Sequence, residues 1–491
     1  MATLDRLYRH SLALLTDLYQ LTMAYGYWKT GVAEREAVFN LTFRKNPFQG
    51  GYSIACGLAL VVDFLEQFRF ETDDVEYLAT LTGADGKPLF EPGFLDYLRQ
   101  LRFQCDVDAF TEGTVVFPHE PLIRVRGPMS QCQLIETPLL NLINFQTLIA
   151  TKSARVVQAA RGEPVLEFGL RRAQGIDGGL AASRAAFVGG ASATSNVLAG
   201  KLFGIPVKGT HAHSWVMSFD DEPAAFQAYA KAMPNNCVFL VDTYDTLEGV
   251  RRAVEAGRWL RSQGHDMLGV RLDSGDLAYL SIEARKILDE GGFPKATIVA
   301  SNDLDEHLIE SLKQQGATIN VWGVGTKLVT AYDQPALGGV YKLAAVRKPG
   351  EPWQYKVKLS EQAIKVSNPG IQQVRRYVAN GECKADLIYD EELGVAEPPT
   401  MIDPMDFTRR KTIPTGTSYS DLLVPIFRGG KRVYDPPALV ESRKTAIEQL
   451  ALFHGGVKRF ANPHKYPVGL ESRLHDLKTN LILKARGTVA G

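Results

Sequence analysis

The sequence predicts an α/β protein whose middle is an irregular or incomplete barrel of parallel strands, preceded by a sheet-rich N-terminal region. Three observations carry this. From residue 165 short apolar runs recur: PVLEFGLRR (164–172), GIPVKGTHAHS (204–214), CVFLVDTYD (237–245), MLGVRLDSGD (267–276), ATIVASNDLD (296–305) and INVWGVGTK (319–327). Helical patterns such as 246–264 and 277–292 fill the gaps, and βα alternation means parallel strands joined by crossover helices. Every run closes in polar residues, which favours a barrel over an open sheet because a barrel builds its site from many strand ends. Six clear strands are fewer than the usual eight, hence the expected irregularity.

The flanking elements read in order. Residues 11–31 carry Leu12, Leu15, Leu18, Tyr19, Met23 and Tyr27 at helical spacing, opening at Thr16-Asp17 and stopping at Gly31. AVFNLTFRKNPF (37–48) is strand-like through Phe43, and 50–68 reads as a turn and a buried helix. Short β-rich runs split by Gly and Pro over 105–136 predict an antiparallel sheet, and a long amphipathic helix follows over 136–160. Beyond Lys327, GGVYKLAAV, PWQYKVKLS and QVRRYVAN look like strands that return to the first sheet. Residues 414–433 have loop character, 435–454 a helical pattern, and the rest reads as a Pro/His/Gly tail.

Composition excludes some functions. Of 491 residues 45% are apolar and 22% charged, and 55 Lys+Arg balance 55 Asp+Glu. A global basic field for nucleic acid or an anionic membrane is absent, so a polyanionic ligand must be met by local arginines and backbone amides. Five cysteines (56, 105, 132, 237, 383) form no C-x-x-C, which suggests buried free thiols in a reducing compartment. With no signal-peptide h-region and no 18-residue apolar run, the chain is expected to be soluble and cytoplasmic.

Gathered at one face, the strand tips form a set: Arg171, Arg172, Thr210, His211, His213, Ser214, Asp242, Thr243, Arg271, Asp273, Ser274, Asp276, Ser301, Asn302, Asp303, Gly323, Gly325, Thr326 and Lys327. Guanidinium binds phosphate or carboxylate bidentately, and aspartates complement ribose hydroxyls, so the set suits an anionic, hydroxyl-rich ligand. Gly-Val-Gly-Thr (323–326) allows close backbone approach to phosphate oxygens. Neither a P-loop nor G-x-G-x-x-G occurs.

Longer motifs match a family. TDLYQLTMAYGYWKTG, FRKNPF, EFGLRRAQG-x-DGG, SNVLAGKLFGIPVKGT-x-AHSWV, LVDTYDT, GVRLDSGDL, GVGTKLVT and GGVYKL stand in one order along nearly the whole chain. In these the sequence resembles the nicotinate phosphoribosyltransferases. The resemblance implies a type II phosphoribosyltransferase: an irregular barrel of about seven strands over 138–344, an N-terminal α/β open-sandwich domain over 1–137 completed by about 345–425, and a C-terminal extension over 426–491. The implied reaction joins nicotinate to 5-phosphoribosyl 1-pyrophosphate (PRPP), giving nicotinate mononucleotide and pyrophosphate, with ATP hydrolysis coupled through a phosphohistidine and Mg²⁺ accompanying PRPP and ATP. It opens NAD salvage from nicotinate. No nucleic acid or membrane partner is implied; a homodimer sharing its active sites is.

Carried over residue by residue, the phosphorylated histidine is His213, with Asp242 as its orienting carboxylate and His211 left structural. Phe168 and Tyr19 would stack on the pyridine ring, Tyr19 from the neighbouring subunit. Thr210 and Arg271 would meet the nicotinate carboxylate, and Arg171 would lie near the same pocket and the phosphates. Asp273 would hold ribose hydroxyls, Gly323, Gly325 and Thr326 the 5′-phosphate, and Ser367 a PRPP oxygen, although SEQAIKVSNPG (360–370) departs from the commoner sequence there. No protein ligand of the metal is assigned, since Mg²⁺ retains water and takes phosphate oxygens.

Nicotinamide phosphoribosyltransferase is the nearest rival. It uses an acidic residue where this chain has VGGASATSN (188–196), and a carboxylate there would repel nicotinate's own. A barrel aldolase or isomerase acting on a sugar phosphate is a further alternative, without a Schiff-base lysine at a strand end to support it.

Overall fold

The computed structural model describes residues 11–487. The chain divides into two compact units, one formed by 148–335 and the other by the segments up to 147 and from 336 onward.

The 148–335 unit is built on parallel strands: β1 (Val165–Glu167), β2 (Ala193–Thr194), β3 (Val238–Leu240), β4 (Gly269–Leu272), β5 (Thr297–Ala300) and β6 (Val321–Val324). They lie in the order β2-β1-β6-β5-β4-β3. A single parallel bridge from Thr194 to Val207 adds a seventh, minimal strand. The expected barrel is therefore present as an arc. Among the described residues no ladder joins the 205–209 segment to β3, so hydrogen bonding does not close the ring. A cavity of about 750 Å³ lies there, with Lys208, Gly209 and Thr210 on one side and Asn236 and Val238 on the other.

Part of the polar punctuation is helix capping. Asp245 accepts from Glu248 N at 2.9 Å and starts helix Thr246–Ser262. Asp276 accepts from Ala278 N and Tyr279 N at 3.1 Å to start Leu277–Glu290. Asp305 accepts from Leu308 N at 2.8 Å and starts Glu306–Gln314. A carboxylate at the N-cap satisfies amides that the first turn cannot pair. Asp276, one of the strand-tip ligand candidates, is thus occupied by its own helix.

Among its described residues the other unit holds two large sheets and a two-stranded one, Ser53–Ile54 with Val115–Val116. One of seven strands runs Gln354–Tyr355, Val340–Arg347, Glu36–Thr42, Ile123–Pro128, Asp106–Ala109, Val424–Arg428, Lys431–Arg432. An interior strand, Glu36–Thr42, is buried from Ala37 to Leu41, and its apolar run fits two covered faces. The second sheet orders Arg410–Thr412, Thr400–Ile402, Val468–Glu471, Glu382–Asp390, Gln372–Ala379, Ser418–Asp421. Three sequence expectations need correction. QVRRYVAN does not return to the first sheet: Gln372–Ala379 pairs with Glu382–Asp390 and Ser418–Asp421 in the second. The 414–433 stretch contains strands, because Ile426 and Phe427 are fully buried and pull Val424–Arg428 onto the first sheet. The tail is not irregular either: Val468–Glu471 lies between two strands, and helix Ser472–Ala485 follows with Leu474 buried.

Candidate active site

The strand ends of the 148–335 unit converge on Arg271 of β4. Its guanidinium donates from Nε to Ser301 Oγ at 2.8 Å, from Nη1 to Thr210 Oγ1 at 2.9 Å and from Nη2 to Asp273 Oδ1 at 2.9 Å. Three partners on three segments hold the planar fork in one orientation. Its Cζ lies 5.8 Å from the Phe168 ring centroid, so a cation and an aromatic face border the same space. Such a pair suits a flat ring that carries a carboxylate.

Gly323 is what lets Phe168 sit there. A Cβ at Gly323 would stand 2.7 Å from Phe168 Cδ2, closer than any side chain tolerates. The bare Cα of Gly323, a residue expected at the 5′-phosphate, is covered by the ring. At Gly325 a Cβ would stand 3.2 Å from the Phe168 carbonyl oxygen, and Thr326 opens the short helix Thr326–Val329 with its hydroxyl unpaired among the described residues.

Glu167, which the sequence reading did not single out, anchors the same strand end. It is 1% exposed and faces no cation among the described residues. It accepts from Gly169 N at 2.5 Å, Ser183 Oγ at 2.8 Å and Thr194 Oγ1 at 2.6 Å. One carboxylate thus fixes the segment carrying Phe168 against helix Gly175–Val188 and β2. A buried Glu directly before the aromatic was the available signal, hidden because the run reads as plain strand.

The two histidines separate clearly. His211 is 7% exposed, its Nε2 accepts the Leu240 N–H at 3.2 Å, and its Nδ1 faces Ala212 O at 3.4 Å. Burial pushes it down to about 4, so it stays neutral. His213 is partly exposed: Nδ1 lies 3.2 Å from Thr243 Oγ1, and Nε2 lies 3.8 Å from Asp273 Oδ2. Asp242, the expected orienter, does not bond to His213. Its Oδ2 accepts from Asp273 N at 2.8 Å and Ser274 Oγ at 2.7 Å. The reason is local: the β4 tip turns one amide and the Ser274 hydroxyl toward the β3 tip and takes that carboxylate first. Asp273 is the acid facing the imidazole. Burial pushes its carboxyl up, but the Ser301 hydroxyl and Arg271 outweigh this and hold it below the ordinary value.

Arg171 lies on the exposed turn Leu170–Arg172, with its guanidinium unpaired among the described residues. The large cavity reaches from Phe168 and Thr210 past Leu166, Val299 and Val321 to Arg261 and Lys295.

Two further expected residues lie in the other unit. Tyr19, on helix Leu18–Lys29, is 49% exposed beside exposed Leu15, Leu18 and Met23. Ser367 Oγ accepts from Lys358 N at 2.8 Å and lines a recess with Arg44, Lys342, Lys365, Asn368 and His119. The side chains of Arg44, Lys342 and Lys365 have no partner among the described residues, and no carboxylate lines the recess. An uncompensated basic recess fits phosphate. It adjoins a cavity of about 360 Å³ that shares Arg44, His119 and Ile364. The FRKNPF motif contained Arg44, but only the fold brings it to Ser367.

Parallel strands with an arginine, carboxylates and a histidine at their ends define an α/β enzyme that handles a small anionic ring and phosphate. Comparison with known proteins agrees and goes further. Three models match: the nicotinate phosphoribosyltransferase N-terminal domain over residues 14–144, the nicotinate phosphoribosyltransferase family over 165–360, and the nicotinate phosphoribosyltransferase C-terminal domain over 371–478. The chain is 44% identical to the nicotinate phosphoribosyltransferase of Bacillus subtilis, covering 96% of this chain and 97% of that one. With the human enzyme of the same name it shares 36% identity, over 95% and 96% of the two chains. The crystal structure of human nicotinic acid phosphoribosyltransferase superposes with a TM-score of 0.81 at 34% identity, covering 95% of this chain and 99% of that one. A nicotinate-nucleotide pyrophosphorylase from Pyrococcus furiosus, 21% identical with a TM-score of 0.68, shares the fold over 89% of this chain and 95% of its own. The chain belongs to the nicotinate phosphoribosyltransferase family.

Proposed function

We propose that this chain joins nicotinate to PRPP, releasing nicotinate mononucleotide and pyrophosphate, with ATP hydrolysis coupled to the transfer. The observation that carries the reading is Arg271, held by Thr210, Asp273 and Ser301 and set 5.8 Å from the Phe168 ring. Nicotinate's carboxylate would meet Arg271 and Thr210 while its ring lies against Phe168. A neutral amide would gain much less from a fixed guanidinium, which favours the acid over nicotinamide.

At the anomeric carbon, charge develops on the ribose as pyrophosphate leaves, so catalysis is mainly alignment and electrostatics. Asp273 would hold ribose hydroxyls. Gly325, Thr326 and Arg171 would take phosphate oxygens, as would the recess of Ser367, Arg44 and Lys342. Among the described residues no three His, Cys, Asp or Glu side chains group as a metal cage. Mg²⁺ would arrive with pyrophosphate, ligated by its oxygens and water, because the ion retains water and takes phosphate oxygens.

His213 would accept the ATP γ-phosphoryl group. With Nδ1 next to the Thr243 hydroxyl, the ring can keep its proton there and present Nε2 as nucleophile. The P–O bond to ADP breaks as the N–P bond forms, and water later hydrolyses the phosphohistidine. Asp273, facing Nε2, couples that position to the ribose site.

Exposed Leu15, Leu18, Tyr19 and Met23 support a homodimer in which Tyr19 serves the partner's nicotinate site. No helix among the described residues is long and apolar enough to cross a membrane, and the five cysteines are free and buried, which suits the cytoplasm. The test is to incubate the protein with PRPP, Mg²⁺, ATP and either nicotinate or nicotinamide and separate the mononucleotides by chromatography. Product from nicotinate is expected; product from nicotinamide alone would overturn the reading.

A further inference from the structure

The last helix, Ser472–Ala485, places a lysine where lysines are rarely found. Lys478 is 9% exposed, and its ammonium donates to Asn368 Oδ1 at 2.8 Å. Among the described residues no carboxylate lies within ion-pair distance of it. A buried ammonium is ordinarily paired with an acid, because an amide oxygen offers only a dipole in return for lost hydration. Asn368 lines the basic recess together with Ser367, Arg44, Lys342 and Lys365. The ionisable groups facing this region add nothing negative. His119 is a neutral imidazole, pushed down to about 4 by burial and then by Lys478. Asp403 is already held by Lys465 at 2.7 Å. On Lys478's own helix, Asp476 pairs with His475 at 3.4 Å. Four cations around one recess with no acid in its lining describe a site whose counter-charge comes from outside the chain.

We propose that Lys478 completes this recess as a positioning residue, its counter-charge being a phosphate of the bound substrate. The inference rests on the reading that the chain handles phosphorylated substrates, and it gives the C-terminal helix a part in holding them. Lys478 acts through Asn368: the ammonium orients the amide, the amide sets the Ser367–Asn368 turn, and the charge reaches the anion at second hand.

A linkage follows. Burial pushes Lys478 down to about 8, so it is charged at neutral pH and loses its proton as pH rises through that value. An anion in the recess favours the protonated form, so binding is favoured below that pH and weakens above it. A lysine that merely filled space would leave this pH profile unchanged.

The test is calorimetric titration of the full chain with inorganic tripolyphosphate, without Mg²⁺, at about pH 7 and about pH 9. Lys478→Met should bind roughly tenfold more weakly than the unmodified protein at neutral pH, as for one partly buried charge pair, and the gap should close at high pH. Lys478→Arg should bind well at both. Equal affinity of Lys478→Met and the unmodified protein at neutral pH would overturn the proposal. If Lys478→Met fails to fold, Asn368→Asp serves instead: it gives Lys478 an internal acid and should weaken tripolyphosphate binding, and unchanged affinity there sinks the idea equally. Mononucleotide formation from nicotinate, measured in parallel, separates the two readings. Lys478-dependent binding without that product would fault the assigned reaction and leave the recess standing.

Discussion

Asp242 and Asp273 are joined through the backbone: the Asp242 carboxylate accepts the Asp273 N–H at 2.8 Å and the Ser274 hydroxyl at 2.7 Å. The aspartate nearest His213 in space is therefore itself set by a second aspartate. Asp242→Ala should loosen the β4 tip and weaken PRPP binding by about tenfold, the equivalent of one or two lost hydrogen bonds to a carboxylate. Thr243→Val should instead slow phosphorylation of His213 with PRPP binding nearly intact. Initial rates against PRPP, alongside phosphohistidine labelling, check both; matching defects in the two variants would refute this division of labour.

His213→Ala should abolish ATP turnover and leave weak transfer without ATP. Coupled assay of ADP release against mononucleotide formation reads this directly. Full ATP-coupled activity in the variant would remove His213 from the mechanism.

Gly323→Ala tests the seat of Phe168. The added methyl must push the ring away, because its Cβ would fall 2.7 Å from Cδ2. The expected result is a KM for nicotinate several-fold higher, matching the about 0.5–1.5 kcal/mol of an offset stack, with the KM for PRPP unchanged. If the PRPP constant rises instead, Gly323 serves phosphate after all.

Stability should depend on Glu306. It is buried between Lys152 at 2.7 Å and Arg155 at 2.7 Å. Burial pushes its carboxyl up, but Lys152 and Arg155 outweigh that and hold it below the ordinary glutamate value. A depressed carboxylate stabilises the fold above its unfolded pKa, and that contribution is lost as pH falls through the lower folded value. Glu306→Gln should cost about 3–5 kcal/mol in denaturant unfolding at neutral pH. The loss should shrink at acid pH, and a loss that is the same at acid pH would mean that packing, not charge, is at stake.

Tyr19 can be tested by subunit mixing. In the proposed homodimer, Tyr19→Ala and His213→Ala subunits, each impaired alone, should regain part of the ATP-coupled activity after exchange. With exchange confirmed, no recovery would argue that Tyr19 works within its own chain or not at all.

Most of the parallel unit was legible because each strand is an apolar run ended by polar residues, and that pattern survives without tertiary context. The same pattern over-supplied ligands. Asp276, one of the strand-tip candidates, caps a helix just as Asp245 and Asp305 do, and sequence spacing does not distinguish a capping carboxylate from one aimed at substrate. His213 and Arg271 stood out in motifs, whereas Glu167 did not, since its importance comes from Ser183 and Thr194 meeting it in space. Arg44 and Lys342 lie about 300 residues apart and meet at Ser367 only through sheet pairing, which periodicity leaves undetermined. The strands within 414–433 escaped notice because they are short and polar at the edge, with only Ile426 and Phe427 fully buried.

The hollow interior of the strand arc has its own consequence. The cavity of about 750 Å³ opens beside Phe168 and Thr210 and runs back to the strand starts at Leu268, Thr297 and Val321, so on one side the proposed ring site borders free space rather than a packed wall. On the proposed reading, discrimination among ring substrates falls to charge, concentrated at Arg271. Selectivity built that way responds to ionic strength more than to ligand girth. The protein should accept substituted pyridine carboxylates generously, while remaining strict about the negative group itself.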